Sequence, residues 1–553
     1  MSTNGQTNGH DATSGPPATV GEWAPKTDFN YEVTDDGVHW EHNARVYEWD
    51  GDEGEVGPEH PELEAALFGP PEERGGHGIN FAAIAEIKVE QVGVTKVDPV
   101  RSFDTAGLHP AMLKNVQLAG YRVPTPIQMW CIPAILQGHD LIAIAQTGSG
   151  KTAAYLIPIL SRLMGKAKQL AAPRPTAQDF REGSARPVTA EPLVVIVCPA
   201  RELAVQIFNE ARKFCYRSML RPCVVYGGGP LRDQIAQLQR GCDVLIASPG
   251  RLVDFMERPG VLSLRRVKYM VIDEADEMLD DGWRDGFTKI MSGGEQDEGD
   301  VKYMMFSATF PAAARQLAKE YLTDNHVRLQ VGRIGSTHSN IKQDVIFVAR
   351  ELKQDAVFDM LTTMPPQRTI IFVNSKHAAD QLDDFLFNKN LPCTSMHGDR
   401  TQREREDAMR SFRAGTTPIL ITTGVTARGI DVRNVMHVIN YDLPSMEHGG
   451  IQEYIHRIGR TGRIGYEGRA TSFYNERDEG IAPLLTMTLL ETKQEVPDFL
   501  SGFVPEGGAQ APLVFDDDSD DEGNANGTSN DASASGWGTD APQGGHQPIS
   551  EAW

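Results

Sequence analysis

The chain has 553 residues, with 53 Lys and Arg against 76 Asp and Glu for a formal net charge of −23; 40% of its residues are hydrophobic and 7% aromatic. That length allows two or three domains with ordinary cores, and the apolar content excludes collagen, coiled coil and a wholly disordered chain. The charge by itself argues against a polyanionic partner.

Residues 1–95 hold 19 acidic and 4 basic residues among Gly, Pro, Asn and single aromatics. Such a stretch cannot bury enough apolar surface to offset its chain entropy, so a disordered acidic N-terminal tail is expected there. Residues 505–553 hold 10 acidic residues and no Lys or Arg, including the run DDDSDDE, and a second disordered tail is expected. Residues 96–504 are left with a net charge of +2 and most of the basic residues. The acidity belongs to the two ends.

Between them, short β-branched apolar runs alternate with helical patterns: DLIAIAQ, PLVVIVCP, CDVLIASP, VKYMVIDE and VKYMMFSAT, then TIIFVNS, PILITTGV, VMHVINYD and RATSFYN. Buried parallel strands with intervening helices fit this rhythm, giving an α/β fold. The polar stretch GRIGSTHSNIKQ separates the two sets. We therefore expect a first lobe over 96–335, a linker at 336–340 and a second lobe over 341–504. Residues 166–192, polar and Pro-rich, read as a surface insertion in the first lobe.

Cys131, Cys198, Cys215, Cys223, Cys242 and Cys393 lack the paired spacing of a zinc knuckle or redox motif. The N-terminus has no basic stretch leading into an apolar core, and nowhere do about 18 apolar residues run together. A reducing, aqueous compartment is expected, the cytoplasm with the nucleus left open, and no membrane contact.

After the first strand comes AQTGSGKTAAYLIPIL, running from Ala145, Gln146 and Thr147 through Gly148, Ser149 and Gly150 to Lys151 and Thr152 at a helix start. Backbone N–H groups in such a loop, aided by the helix dipole, cradle phosphate oxygens. Lys151 would neutralise the β- and γ-phosphates and Thr152 would offer a hydroxyl to Mg²⁺. The literal P-loop pattern has Gly where Ala145 stands; a flexible Gly/Ser turn would explain the glycines but not Lys-Thr. VKYMVIDEADEML then supplies Asp273, to bind Mg²⁺ through water, and Glu274, to polarise the attacking water.

With Asp273-Glu274-Ala275-Asp276, the chain resembles the DEAD-box RNA helicases of superfamily 2. The resemblance runs from about Phe103 to about Leu490, a dozen motifs in order, and implies two tandem RecA-like lobes. Residues 101–129 match the adenine-recognition motif, in which Gln128 would pair with the adenine edge and Tyr121 stack on the ring; Val123 stands where the family often has a basic residue. Pro199 to Ala204, with Arg201, Tyr226 to Gly229, with Gly228, and Ser248 to Arg251, with Gly250, are similar to the family's RNA-contact loops, with Ala200 and Ser248 in place of its Thr. Ser307-Ala308-Thr309 resembles the motif that couples hydrolysis to strand separation through Asp276.

In the second lobe the resemblance assigns RNA contact to Asn374, Gln402, Arg405 and Thr423, and nucleotide contact to Gly429 and Asp431. Gly424 and Thr426 depart from the common pattern. YIHRIGRTGR carries His456 and Arg457 as coupling residues and Arg460 and Arg463 as arginine fingers on the γ-phosphoryl group.

The implied activity is ATP hydrolysis with Mg²⁺ coupled to local unwinding of RNA duplexes or remodelling of RNA–protein complexes, in a monomer nearest the Vasa-like branch. RNA single strands and duplexes would be gripped with little sequence specificity, since such contacts go to sugar and phosphate. An ATP-gated RNA clamp with little unwinding is the alternative, and a DNA translocase is disfavoured by the Gln128 motif. Trp23, Trp40, Trp49, Trp537 and Trp553 lie in the acidic ends, where they read either as docking peptides for protein partners or as incidental aromatics.

Overall fold

The computed structural model describes residues 23, 25, 40–51, 54–70, 88–93, 95–175, 179, 186–278, 284–292, 301–310, 312–332, 340–427, 432, 434–462 and 467–505. All of them fall in one compact unit within residues 1–513. The linker at 336–339, the C-terminal segment from 506 onward with Trp537 and Trp553, and Gly429, Asp431 and Arg463 lie outside the described residues.

The first lobe is built on β1 (Val89–Val92), β2 (Leu141–Ala145), β3 (Val194–Val197), β4 (Pro222–Val225), β5 (Val244–Ala247), β6 (Tyr269–Asp273), β7 (Lys302–Ser307) and β8 (Val327–Val331), in the order β1-β8-β2-β7-β6-β3-β5-β4. Every neighbouring pair is parallel except β1 with β8. The central strands are buried along their whole length because helices cover both faces, which is why they read as unbroken apolar runs. The helix Arg201–Phe214 shows the complementary pattern: Leu203, Ala204, Ile207, Phe208, Ala211 and Phe214 recur at helical spacing and are buried against the sheet.

The second lobe has β9 (Ile341–Phe347), β10 (Thr369–Val373), β11 (Cys393–Met396), β12 (Ile419–Thr423), β13 (His437–Asn440) and β14 (Gly468–Tyr474), all parallel, in the order β11-β12-β10-β13-β14-β9. Two parallel α/β sheets in tandem are the expected RecA-like lobes. The nine strands read from apolar runs are all present. The five not foreseen, β1, β4, β8, β9 and β11, are short, polar or alternate buried and half-buried positions.

Two expectations need correction. Parts of residues 1–95 are folded: Glu41–Asn43 form a 3₁₀ turn, Pro61–Phe68 an α-helix, and Val89–Val92 the strand β1. Tyr47, Leu63 and Leu67 bury against Tyr216 of the first lobe, and the Tyr47 and Tyr216 rings meet edge to face at 5.2 Å. Composition misses this because the burying partner lies some 150 residues further along the chain. The tryptophans here are likewise engaged within the chain: Trp49 packs on that same cluster, and Trp23 lies against the second lobe's core with its indole N–H donating to the Leu361 carbonyl at 3.1 Å. The second correction concerns residues 166–192, which carry a helical turn at Ala167–Leu170 and a β-bridge from Ala190 to Leu262.

Candidate functional site

Parallel strands place their carboxyl ends on one edge of a sheet, and the register aligns β2, β7 and β6 so that the phosphate loop, Ser307 and Asp273 emerge side by side. The loop turns through Gly148 and Gly150, with φ of 75° and 91°, a region open to glycine but strained for other residues. A Cβ on Gly150 would meet the Gln128 amide nitrogen at 2.6 Å.

Gln128 therefore acts on the loop directly. Its carbonyl accepts from the Thr125 N–H at 3.0 Å, and its amide donates to the Gly150 carbonyl at 3.1 Å, while the Thr125 hydroxyl donates to the Ser149 carbonyl at 2.8 Å. An amide has two N–H groups and two lone pairs, so one of each remains to read an adenine edge. Phe103 is buried and meets the Tyr121 ring edge to face at 6.4 Å; Tyr121 in turn packs on Phe214. Val123 is solvent-exposed.

Lys151 is buried, and its ammonium donates to the carbonyls of Ala145 and Gln146 at 2.6 and 3.4 Å. Burial pushes its pKa down, opposed by the carboxylates of Asp273, Asp276 and Glu274. Asp273, also buried, accepts from the Tyr155 hydroxyl at 2.9 Å and from the Glu274 N–H at 3.0 Å, and burial raises its pKa. Thr152, three residues before Tyr155 on the helix Lys151–Met164, lies on the same helix face, so the groups placed to hold an ion are the Thr152 hydroxyl and the Asp273 carboxylate. Both are hard oxygen donors of the kind Mg²⁺ takes, and the residues fit that ion. Tyr155 was not foreseen; nothing in KTAAY distinguishes it from a core aromatic.

Glu274 sits at φ 54°, a left-handed conformation rare for a non-glycine residue. Its Oε2 is buried without a hydrogen-bond partner, and burial, reinforced by the negative charge of Glu277, raises its pKa to about 7. A carboxylate with that pKa suits a general base. Beside it, Asp276 Oδ2 accepts from the Thr309 N–H at 2.9 Å and the Thr309 hydroxyl at 2.8 Å, and Ser307 Oγ accepts from the Asp276 N–H at 3.3 Å. The expected link between these motifs is made by direct hydrogen bonds.

The second lobe closes the site. His456 Nδ1 lies 3.2 Å from Glu277 Oε1, and its Nε2 4.0 Å from Asp276. Burial alone would lower the pKa of His456, but the bond to Glu277 and the two carboxylates outweigh it and raise the value. The Gly459 carbonyl accepts from the Thr147 hydroxyl at 3.5 Å, and a Cβ on Gly459 would lie 2.5 Å from that hydroxyl, so the approach needs glycine. Arg460 is buried, its Nε donating to the His456 carbonyl at 3.0 Å, and its charge acts on both Lys151 and Glu274. Arg457 is different: it bonds Glu453 at 2.9 Å, the Asp442 carbonyl at 2.8 Å and Asn374 Oδ1 at 3.1 Å, and stacks over Phe372, all within its own lobe. Its contribution is to hold Asn374 in place.

On the other side of the seam the RNA-type loops face one another. Arg201 donates to Gln402 Oε1 at 3.2 Å, and Arg405 pairs with Glu202 at 2.5 Å. Gly228 lies under Arg201 and Gln402, where a Cβ would clash at 2.7 Å. Ser248 Oγ accepts from the Gly227 N–H at 3.3 Å, fixing one loop to the next, and Pro199, Gly250 and Arg251 flank them at helix starts. Arg251 keeps a buried Nη1 without a hydrogen-bond partner, and Arg405 a buried Nε. Both are donors suited to an anion.

Departures from the family pattern have local explanations. Ala200 is the N-cap of its helix and makes no side-chain cap bond. At Gly424 a Cβ would fall 2.2 Å from Glu453 Oε1, so the Arg457–Glu453 pair occupies that space. Thr426 bonds the Thr423 hydroxyl at 2.9 Å.

Fold and site thus define a P-loop protein of two RecA-like lobes, with the phosphate loop, a carboxylate pair and an arginine on one seam. Family models for the DEAD/DEAH box helicase and for the helicase conserved C-terminal domain match residues 125–317 and 352–465. Among solved structures, S. cerevisiae Dbp5 bound to RNA and ADP BeF3 matches with a TM-score of 0.60 and 30% identity, over 70% of this chain and 93% of that one. Mss116p lacking its NTE and C-tail, bound to ssRNA and AMP-PNP, matches with a TM-score of 0.60 and 28% identity, over 73% and 80%. The chain belongs to the DEAD-box helicase family.

Proposed function

We propose that this chain hydrolyses ATP and couples hydrolysis to local unwinding of RNA duplexes or remodelling of RNA–protein complexes. The observation that carries the reading is the seam: His456 of the second lobe lies 3.2 Å from Glu277 of the first, and the Gly459 carbonyl, next to Arg460, accepts from Thr147 of the phosphate loop at 3.5 Å, so the groups that would neutralise a transferring phosphoryl and activate water meet only when the lobes do. Lys151 and the loop amides bind phosphates, Gln128 and Tyr121 select and stack the base, and Glu274 takes the proton of the attacking water. Thr152 and Asp273 would hold Mg²⁺, the latter through water, and the ion would supply charge neutralisation at the phosphates. RNA, bound by the loops around Arg201, Gly228, Arg251, Gln402 and Arg405, spans the same seam, so ATP and RNA favour one closed state and bind cooperatively. Relatives caught with RNA and a nucleotide analogue support the reading.

The test is ATP turnover of the purified chain with and without single-stranded RNA. RNA should stimulate the wild type, and Arg460→Ala should lower kcat by about a thousand-fold with ATP affinity little changed. Loss of affinity with kcat retained would remove the finger role, and RNA-independent turnover would remove the helicase reading.

A second reading, an ATP-gated RNA clamp, is favoured by the contacts that tie the lobes on the RNA side, Arg201–Gln402 and Glu202–Arg405. Strand displacement measured beside ATP-dependent retention on RNA separates the two. Within the family we propose the Vasa-like branch, on the YGG, RGCD, SPGRL and HGDRTQRERE stretches.

A further inference from the structure

Residues 40–51 and 54–60 precede both helicase family matches, yet they are fixed to the first lobe by a series of polar contacts. Glu48 pairs with Arg221 at 3.3 Å and with Arg240 at 2.9 Å; Arg212 donates to the Arg45 carbonyl at 2.9 Å; Arg217 bonds the Gly57 carbonyl at 2.6 Å and Glu59 at 2.9 Å; the His60 N–H donates to the Tyr216 hydroxyl at 2.9 Å. Arg221 is buried, so Glu48 answers a charge that water cannot reach.

The start of this segment ends at the seam. The turn Glu41–Asn43 puts His42 against Tyr226, the residue before the Gly227–Gly229 loop, with ring centroids 6.0 Å apart at 70° and Nδ1 3.4 Å from the hydroxyl. The same hydroxyl donates across the seam to Glu406 Oε1 at 2.9 Å, and that oxygen also accepts from Gln402 at 3.2 Å. A carboxylate only accepts and a tyrosine has one proton to give, so the proton points to Glu406 and the oxygen lone pair faces His42. His42 is buried, and burial lowers its pKa to about 4, so the imidazole is neutral at pH 7 with Nδ1–H donating to Tyr226. The Tyr226 backbone is fixed on both sides by Gln234, which accepts from its N–H at 3.0 Å and donates to its carbonyl at 3.1 Å. The hydroxyl is thus the end of a rigid post.

We propose that Tyr226 is a positioning residue for lobe closure: held by His42 of the N-terminal segment and by Glu406 of the second lobe, its hydroxyl makes that segment part of the seam and favours the RNA-gripping arrangement. The bond to Glu406 exists only when the lobes meet, so its contribution falls on the nucleotide-bound, closed state. This rests on the RNA-dependent ATPase reading above.

The test compares RNA affinity of the full chain with a non-hydrolysable ATP analogue and without nucleotide, for Tyr226→Phe, Glu406→Gln and the double variant. Each single substitution should weaken analogue-bound affinity by about ten-fold, the scale of a hydrogen bond to a charged group; Glu406→Gln should leave the nucleotide-free affinity within about two-fold, and Tyr226→Phe should lose more with the analogue than without it. The double variant should be no worse than the weaker single. Equal losses in both conditions would make Tyr226 a direct RNA contact, and additive losses would break the pairing; either overturns the proposal. His42→Phe, which keeps the ring and removes the donor, should give a smaller loss, about three-fold, confined to the analogue-bound state; no loss would take the N-terminal segment out of the seam. Absence of nucleotide-dependent RNA binding in the wild type would overturn the parent reading, whereas variant results that fail with wild-type coupling intact overturn this one alone.

Discussion

Glu274 combines a left-handed backbone, a partnerless buried oxygen and a raised pKa, three costs to folding concentrated on one side chain. Because its folded pKa of about 7 lies above the ordinary 4.5, the folded chain holds this proton more tightly than the unfolded chain does. Stability from this group is therefore fullest below pH 4.5 and is lost as pH rises toward 7. Glu274→Gln, uncharged at every pH, should raise unfolding free energy at pH 8 by about 2 kcal/mol, allowing for partial exposure, and should abolish turnover. Urea melts of both proteins check the first and an ATPase assay the second. In the wild type, turnover should fall about ten-fold per pH unit below 7 as the base is protonated, a limb set by the environment rather than by carboxylate chemistry.

Among the elements, the placement of most candidate nucleotide-site residues is legible in the sequence because each motif sits where an apolar strand meets a helix start, and such boundaries are local. Lys151, Asp273, Asp276 and Thr309 fall where their strand ends put them. What local pattern could not supply was partnership. Tyr155 and Glu277 look like ordinary helix residues until Asp273 and His456 come alongside. Arg457 reads from its motif as a coupling residue, and the motif does not foretell that its bonds go to Glu453 and Asn374 within its own lobe. The strands β4 and β11 are only four residues long and carry Pro, Thr or Ser, so neither offers a clear apolar run although every position is buried. The backbone of Ala200 already has the extended conformation of an N-cap. Ala200→Thr should restore a cap bond to the helix Arg201–Phe214 and raise stability by about 1 kcal/mol, read as a shift in the denaturation midpoint. An unchanged midpoint would mean that the hydroxyl finds no amide there.

For the whole molecule, the charge of −23 and the near-neutral body describe two different things. The body gathers Arg201, Arg251 and Arg405 beside the seam, while residues 506–553 hold acidic residues and no Lys or Arg, and we propose that they compete with RNA for that surface. Removing residues 506–553 should strengthen RNA binding at low salt and steepen its salt dependence. Titrations at two ionic strengths measure both, and identical slopes would show that the acidic end does not reach the cleft.

The approach of the Gly459 carbonyl to Thr147, close enough to exclude any side chain, bears on timing. If the chain turns over ATP as proposed, a phosphate made beneath Arg460 would be flanked by the phosphate loop on one side and by the helix end at Gly459 on the other. Its departure would then wait on the parting of the lobes, making the slow step of the cycle mechanical. Rapid mixing of the RNA-bound chain with ATP should give one fast turnover per molecule, followed by a steady rate that solvent viscosity slows and that tracks lobe opening reported by a fluorophore pair.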